Sequence, residues 1–312
     1  MVDERFLACL LYRVNRTGRI VRLEQQTTQM RNLHFRDYLA MPLPVPPLDE
    51  QAIISCMLEA VDTTRERTRA AVECARKLRR GLLQASFEFL GSTEPTKNTD
   101  AGRIPQSWDA IKGREAFVVV TGGCSSVDAL RLPRDGQTPD AWFMKVDDFN
   151  DPTNRRTVHR TKIGFVSADN PLFKVLPIGT VVIAKRGAAI MKNRVRSTAV
   201  PLSLDPNLMA LKVLPGMRAE FLRLQLEWRN LSRYVENSGV PQLNNKDLYP
   251  RYFLRAPNER QAEIISVIAA VEGVEDALLA KAHAQEQLKK SLTHDLLTGR
   301  VRAREAAKVA AS

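Results

Sequence analysis

The chain repeats itself at a distance of 210 residues, and that repeat limits what it can fold into. Leu33 falls on Leu243, Asp37 on Asp247, Pro47 on Pro257, Gln51 on Gln261 and Ile54 on Ile264. Ala60-Val61-Asp62 then meets Ala270-Val271-Glu272, and Leu78-Arg79-Arg80 meets Leu288-Lys289-Lys290. Two unrelated amphipathic helices would share an apolar stripe. They would not also share a loop, a proline and a polar signature. Each copy opens with a proline beside a carboxylate, Pro47 and Asp49 or Pro257 and Glu259, which suits a helix N-terminus. In the first copy Ile54, Met57, Val61, Thr64, Thr68, Ala71, Ala75, Leu78, Leu82, Ala85 and Phe89 advance in steps of three and four, a heptad seam. The second gives Ile264, Val267, Val271, Val274 and Leu278, a polar break at Lys281 and Gln285, then Leu288 and Leu292. Gly91 and Gly299 suit the C-terminal caps. A helix this long with so narrow a seam needs a partner. The repeat therefore predicts that 49–90 and 259–298 pack antiparallel within one chain, with Leu78 in the seam.

Between the copies the heptad period vanishes. Residues 92–100, Ser-Thr-Glu-Pro-Thr-Lys-Asn-Thr-Asp, read as a linker. Over 101–258 there are short β-like runs, Ala116 to Val120, Trp142 to Val146, Thr180 to Ala184 and Ala210 to Leu214, separated by turn residues. One helix is expected from Ala219 to about Val235. The expected class is α+β, a mixed α/β domain joined to two long helices that form an antiparallel coiled coil. Charge is unevenly spread. Residues 101–258 hold twenty-four lysines and arginines against fourteen acids, ten of the chain's net twelve positive charges. A basic domain beside nearly neutral helices makes a polyanion the expected partner and excludes an acidic scaffold.

Other classes fall by absence. Cys9, Cys56, Cys74 and Cys124 have no CxxC or paired spacing, and His34, His159, His283 and His294 form no cluster. No disulfide framework or metal site is therefore expected, and a reducing cytoplasm is the expected location. The longest apolar run is far too short for a membrane span, and Asp3 and Glu4 ahead of a short apolar stretch do not make a secretory signal. Asn170-Pro171-Leu172-Phe173 resembles the loop of adenine amino-methyltransferases but lacks its second proline, and no cofactor-binding loop accompanies it. Pro139-Asp140 has no metal-binding residues at strand spacing after it, so it is not a nuclease centre. Gly122-Gly123-Cys124-Ser125 lacks the lysine of a phosphate-binding loop, and Cys124 has no histidine nearby to activate it. No catalytic set and no cofactor are expected.

Three stretches suit binding instead. Lys185-Arg186-Gly187 through Lys192-Asn193-Arg194-Val195-Arg196 places five cations and an Asn around a glycine after a β-like run. Cations and backbone amides suit a phosphate backbone, and Arg or Asn can read base edges; a solvated basic loop would look the same. Ser238-Gly239-Val240-Pro241-Gln242-Leu243-Asn244-Asn245-Lys246-Asp247 offers amides that match adenine and a cation for phosphate. Its repeat relationship to Thr27–Asp37 equally fits a purely structural loop. Gly122, Gly123 and Ser125 allow close backbone approach to phosphate, or form a plain turn.

Assembled, the chain resembles the specificity subunits of type I restriction-modification systems. The resemblance rests on Ile104-Pro105-Gln106-Ser107-Trp108 followed by Thr121-Gly122-Gly123, on Gly179-Thr180-Val181-Val182-Ile183-Ala184-Lys185-Arg186-Gly187-Ala188-Ala189-Ile190, and on Leu204-Asp205-Pro206-Asn207-Leu208-Met209-Ala210-Leu211. It continues through Gly239 to Leu248 and Leu296-Leu297-Thr298-Gly299-Arg300-Val301. It implies a non-catalytic subunit that binds part of a bipartite site in double-stranded DNA and positions methyltransferase and restriction (translocase) subunits. It also implies a division into the tail of a first target recognition domain (1–47), a first spacer helix (48–91), a linker (92–100), a complete recognition domain (101–258), a second spacer helix (259–300) and a tail (301–312). Family members carry two recognition domains, whereas this chain has one complete. A truncated product, half of a split gene and a half-subunit that joins a second S-type chain all fit that departure. A coiled-coil interaction protein with an incidental basic domain is the other reading of the residues.

Overall fold

The computed structural model describes residues 1–303 apart from 28–29, 90–92, 124–126 and 236–240, with the backbone alone for 25–27 and 30–32. In chain order the helices are α1 (Glu4–Arg16), α2 (Phe35–Leu39), α3 (Leu48–Glu88), α4 (Gly113–Ala116), α5 (Ala188–Met191), α6 (Ala219–Arg229), α7 (Asn245–Leu248) and α8 (Asn258–Leu297). The chain divides into two compact units, Met1–Lys77 with Glu272–Ser312, and Leu78–Val271. Among the described residues no helix is long and apolar enough to cross a membrane.

In the first unit α3 and α8 pack antiparallel. Lys289 Nζ donates to Asp62 Oδ2 at 2.6 Å, Arg65 pairs with Glu286, and Arg76 Nε donates to Glu275 Oε1 at 3.0 Å. Each advance along α3 is matched by an equal retreat along α8, so the expected antiparallel pair is present. At one end α1 packs Phe6 and Leu10 against Ile54, Leu58, Leu296 and Leu297. The Asp3 side chain caps α1 by accepting from Phe6 N at 2.9 Å.

The seam itself differs from the expected one. Ile54, Thr68 and Ala75 are buried as anticipated, but Leu58 and Val72 take the places given to Met57 and Ala71. Leu78 is 54% exposed, and Arg65 and Arg79 rather than Thr64 and Leu78 lie inward. The same one-residue slip recurs on α8. Ile268 and Glu275 are buried where Val267 and Val274, both exposed, were expected. Ion pairing explains this: a long cation can lay its stem along the groove and meet a carboxylate on the facing helix.

In the second unit a five-stranded mixed sheet joins β1 (Phe117–Thr121), β2 (Thr157–Val158), β3 (Val181–Ala184), β4 (Val195–Thr198) and β5 (Leu208–Val213) in the order β1-β5-β3-β4-β2. Only the β4–β2 pair is parallel. β3 and β4 are buried throughout: β3 is a Val-Val-Ile-Ala run, whereas β4 is Val-Arg-Ser-Thr and satisfies its buried polar groups locally, Arg196 donating to Asn154 O and Thr198 Oγ1 accepting from Thr180 N. α6 packs against β3, β4 and β5, burying Phe221, Leu222, Leu224 and Leu226. It is shorter than expected because Asn230 adopts φ 66°, and a 3-10 turn, Leu231–Tyr234, follows. A three-stranded sheet, Leu202–Leu204, Ala141–Met144 and Ile163–Phe165, and the pair Asp109–Lys112 with Tyr252–Arg255 complete the framework. Strand Thr96–Thr99 pairs with Gly102–Pro105 and so lies within the stretch 92–100. α3 ends at Phe89, with φ 57°, before Gly91, which lies outside the described residues. The Phe89 ring meets Trp108 edge-on at 5.0 Å, a contact that offsets the left-handed backbone. Gly299, with φ 72°, closes α8 as expected.

The repeat extends beyond the long helices. Gln51 Nε2 donates to Pro46 O at 2.7 Å and Met1 O at 3.4 Å, while Oε1 accepts from Asp3 N at 2.7 Å. Gln261 Nε2 donates to Ala256 O and Gly216 O, both at 2.8 Å, and Oε1 accepts from Arg218 N at 2.9 Å. Asp3 and Arg218 are the N-caps of α1 and α6. The two glutamines therefore anchor equivalent helices, each carrying a buried phenylalanine two residues past its start, Phe6 and Phe221.

Candidate nucleic-acid interface

One end of the five-stranded sheet collects the three expected binding stretches. Residues 185–194 link β3 to β4, whose Ile183 and Val195 are cross-strand partners. The start of β5 lies at the same end: Leu208 pairs with Ala184, and Met209 pairs with Thr121 at the end of β1. Gly122 and Gly123 follow Thr121. A Cβ on Gly122 would stand 2.4 Å from Asp205 O, so glycine is required there by the close approach of the turn before β5. Lys185 N donates to Asn207 O at 2.8 Å and ties the same turn to the basic loop.

The Gln-Asn-Lys stretch arrives from far along the chain. Leu243 N donates to Lys185 O at 2.9 Å and Gly187 N to Pro241 O at 2.8 Å, with an antiparallel bridge between Arg186 and Gln242. Gly187 sits at φ 74°, a conformation that favours glycine and starts the single turn of α5. The anticipated residues thus come together in space, except Ser125, which lies outside the described residues, as do Ser238, Gly239 and Val240.

Within the cluster the side chains divide by what they already hold. Arg186, Lys192, Gln242, Asn245 and Lys246 are exposed, while Lys185 and Asn244 are half-buried. Among the described residues, no hydrogen bond or ion pair occupies the side chains of Lys185, Arg186, Lys192 or Lys246. Gln242 Nε2 donates to Asn244 Oδ1 at 3.0 Å, and Asn244 caps α7 reciprocally with Asp247. Three other residues are held by the fold. Asn193, at φ 48°, donates to Glu227 O and accepts from Leu231 N, using both ends of its amide. Arg194 Nη1 donates to Phe149 O and Asn150 Oδ1. Arg196 is 8% exposed, donates to Asn154 O at 2.6 Å and lies over the Phe149 ring; burial pulls its guanidinium down to about 10. The turn Asp205–Asn207 was not anticipated here. Its signal in the sequence was the Asp-Pro-Asn turn before a β-like run. Among the described residues no group of His, Cys, Asp and Glu could hold a metal ion.

No family model matches the sequence. Solved structures do match its fold. The HsdS subunit from Thermoanaerobacter tengcongensis aligns at TM-score 0.50 and 18% identity over 96% of this chain and 71% of that one. The type I restriction-modification system S subunit from M. genitalium aligns at TM-score 0.59 and 17% identity, over 95% and 73%. The fold is that of a type I specificity subunit. A third match, at TM-score 0.57 and 16% identity, is a chain from the structural study of complex assembly and conformational transition of the type I R-M system, covering 95% of this chain and 71% of that one. In this fold the antiparallel helices are the part anticipated from the repeat, and the basic sheet domain is the part anticipated from the β-like runs and charge between its copies.

Proposed function

We propose that this chain is the DNA-recognition subunit of a type I restriction-modification complex. The sheet domain reads one part of a bipartite site in double-stranded DNA. The helix pair sets the spacing to a second part and presents surfaces to methyltransferase and restriction subunits, which carry the catalysis. The observation that supports this best is the convergence of Lys185, Arg186, Lys192 and Lys246, from two remote stretches, with no hydrogen bond or ion pair on their charges among the described residues. Such cations suit phosphates, and the neighbouring Gln242 and Asn245 suit base edges. In this reading Asn193, Arg194 and Arg196 support the interface by fixing its loop rather than by direct contact. Gly122 and Gly123 let the backbone approach the duplex. Selection of bound DNA from a random pool, with and without methyltransferase subunits, tests the assignment. Enrichment of one sequence supports it; an unenriched pool in both arms contradicts it.

One observation favours a second reading, a half-subunit that completes itself with another S-type chain. Leu243 is fully buried, whereas its repeat partner Leu33 is 40% exposed, and Phe35 and Leu39 on α2 are 66% and 68% exposed. In the second unit Leu243 lies under the sheet domain and Tyr249, the equivalent of Leu39, is half-buried, whereas Asn245, a polar residue, is exposed where Phe35 is. Residues 1–47, as the tail of a first recognition domain, would here offer that face to a domain of the same kind. Mass measurement in solution tests this reading. A two-fold dimer predicts a palindromic site, and a different S-type partner an asymmetric one. A monomer that methylates a bipartite site with no S-type partner contradicts it.

A further inference from the structure

A cleft of about 550 Å³ lies in the second unit, and none of the candidate interface residues lines it. Trp228 and Arg229 from α6, Arg233 and Tyr234 from the following 3-10 turn, and Arg251 and Tyr252 at the last strand form its walls, with Asp100 at the edge. Its size falls in the ordinary range for small-ligand sites.

Two features are not needed by the fold. The first is the Tyr234 hydroxyl. Tyr234 is 7% exposed, and its hydroxyl has no hydrogen-bond partner among the described residues. Its ring stacks on Phe253 at 6.4 Å, a contact a phenylalanine would make equally well. Burial pushes the phenol up, and the Arg229 guanidinium, which lies against the hydroxyl, pulls it back more than the charges of Arg251 and Arg233 do. A buried hydroxyl without a partner is uncommon and needs an explanation.

The second is the pair Arg233 and Arg251. Arg229 is committed, because it donates to Tyr252 O and lies 5.6 Å over both the Trp228 and Phe253 rings. The side chains of Arg233 and Arg251 have no ion pair or hydrogen bond among the described residues. Asp100 accepts from the Tyr252 hydroxyl at 2.6 Å and leaves a carboxylate beside the rings. Three guanidinium groups against one carboxylate match a single phosphate dianion better than a triphosphate. Trp228 is already covered by Phe87, stacked at 5.2 Å, and by Arg229, so the Tyr252 ring with the Asp100 carboxylate beside it is the wall that suits a flat ring bearing amino groups.

We propose that this cleft binds a nucleotide, with its phosphate on Arg233 and Arg251 and its base against Tyr252. The nucleotide is either free or one unstacked unit of a DNA strand. The turn that carries Arg233 also packs against α5 in the basic loop, so both sources are within the reach of this face. The inference does not depend on sequence-specific DNA reading, and either can fail alone.

The test is calorimetric titration of the full chain with adenosine monophosphate and, separately, inorganic phosphate. The nucleotide is expected to bind at least about tenfold more tightly than phosphate. Arg233→Ala with Arg251→Ala should remove that binding, whereas Lys185→Ala with Arg186→Ala should leave it intact. Tyr234→Phe should weaken the nucleotide several-fold without lowering the melting temperature, which separates a ligand contact from a fold defect. Competition by a duplex with one unpaired nucleotide, but not by a fully paired duplex, assigns the DNA source; competition by neither assigns the free nucleotide. Absence of saturable nucleotide binding together with equal affinity for the bulged and paired duplexes overturns the proposal. So does equal binding of phosphate and nucleotide.

Discussion

Asp62 on α3 and Lys289 on α8 meet across the helix pair, with Nζ 2.6 Å from Oδ2, and Arg65 holds the other carboxylate oxygen at 2.7 Å. Burial alone would raise the Asp62 carboxyl, but the Lys289 and Arg65 bonds outweigh it and hold it below its usual range. Glu286 behaves likewise: burial opposes, and Arg65 pulls it down. A carboxyl lowered by folding stabilises the folded state above its unfolded value. That stabilisation is lost as pH falls through the folded value. The melting temperature should therefore hold from neutral pH to about 5 and fall below about pH 4. Asp62→Asn should lower melting at neutral pH and flatten the acid limb; an acid limb identical to that of the unaltered chain would count against this pairing.

The seam gives a paired comparison on one helix. Leu58 is 2% exposed and packs with Phe6, Leu10 and Ile54, so Leu58→Asp buries a charge and should cost about 3 kcal/mol or more. Leu78→Asp, at a position 54% exposed, should stay within about 0.5 kcal/mol. Chemical denaturation of both variants decides. Equal losses would place the seam where the sequence alone suggested.

Gln261 is fully buried and holds three backbone groups. Gln261→Ala would leave Arg218 N, Gly216 O and Ala256 O without that partner, at a cost of about 2–3 kcal/mol. Gln261→Glu should also destabilise, since a carboxylate cannot donate to the two carbonyls. A Gln261→Ala chain as resistant to denaturant as the unaltered one would dismiss the glutamine as an anchor.

The sequence made the large features legible because each has a period or a composition. Heptads mark α3 and α8, short apolar runs mark β1, β3 and β5, and the charge surplus marks the sheet domain. The seam's true phase was hidden. Glu275, Arg65 and Lys289 look like surface residues until the facing helix supplies a partner, so an apolar count chose Met57 and Leu78 instead. α1 was missed although Phe6, Leu10 and Val14 fall at helical spacing, because it lies outside the 210-residue register and its match to α6, Phe6-Leu7 with Phe221-Leu222, is short. At the interface, residue type located the right loops but could not separate their roles. Arg194 and Lys192 look equivalent in sequence. Only the fold places Phe149 O and Asn150 beside one of them.

That separation predicts different defects. Alanine at Lys185, Arg186, Lys192 or Lys246 should weaken binding to all DNA sequences and flatten the salt slope by about one unit each, with stability unchanged. Arg194→Ala and Arg196→Ala should lower the melting temperature, since their guanidinium groups satisfy Phe149 O and Asn154 O. Fluorescence anisotropy against ionic strength, read beside thermal melting, separates the two groups. A quadruple lysine and arginine variant that binds DNA as before would remove these loops from the interface.

The most direct test of the central claim is a salt series on the purified chain, with its methyltransferase subunits, against a selected duplex and a scrambled duplex of equal length and composition. Added salt weakens the phosphate contribution to both alike, whereas contacts to base edges favour only the selected one. The account predicts that preference for the selected duplex survives from about 50 to 200 mM salt while both affinities fall. A preference that shrinks to unity over that range would mean that the basic sheet end binds polyanions without reading them, and would contradict the account.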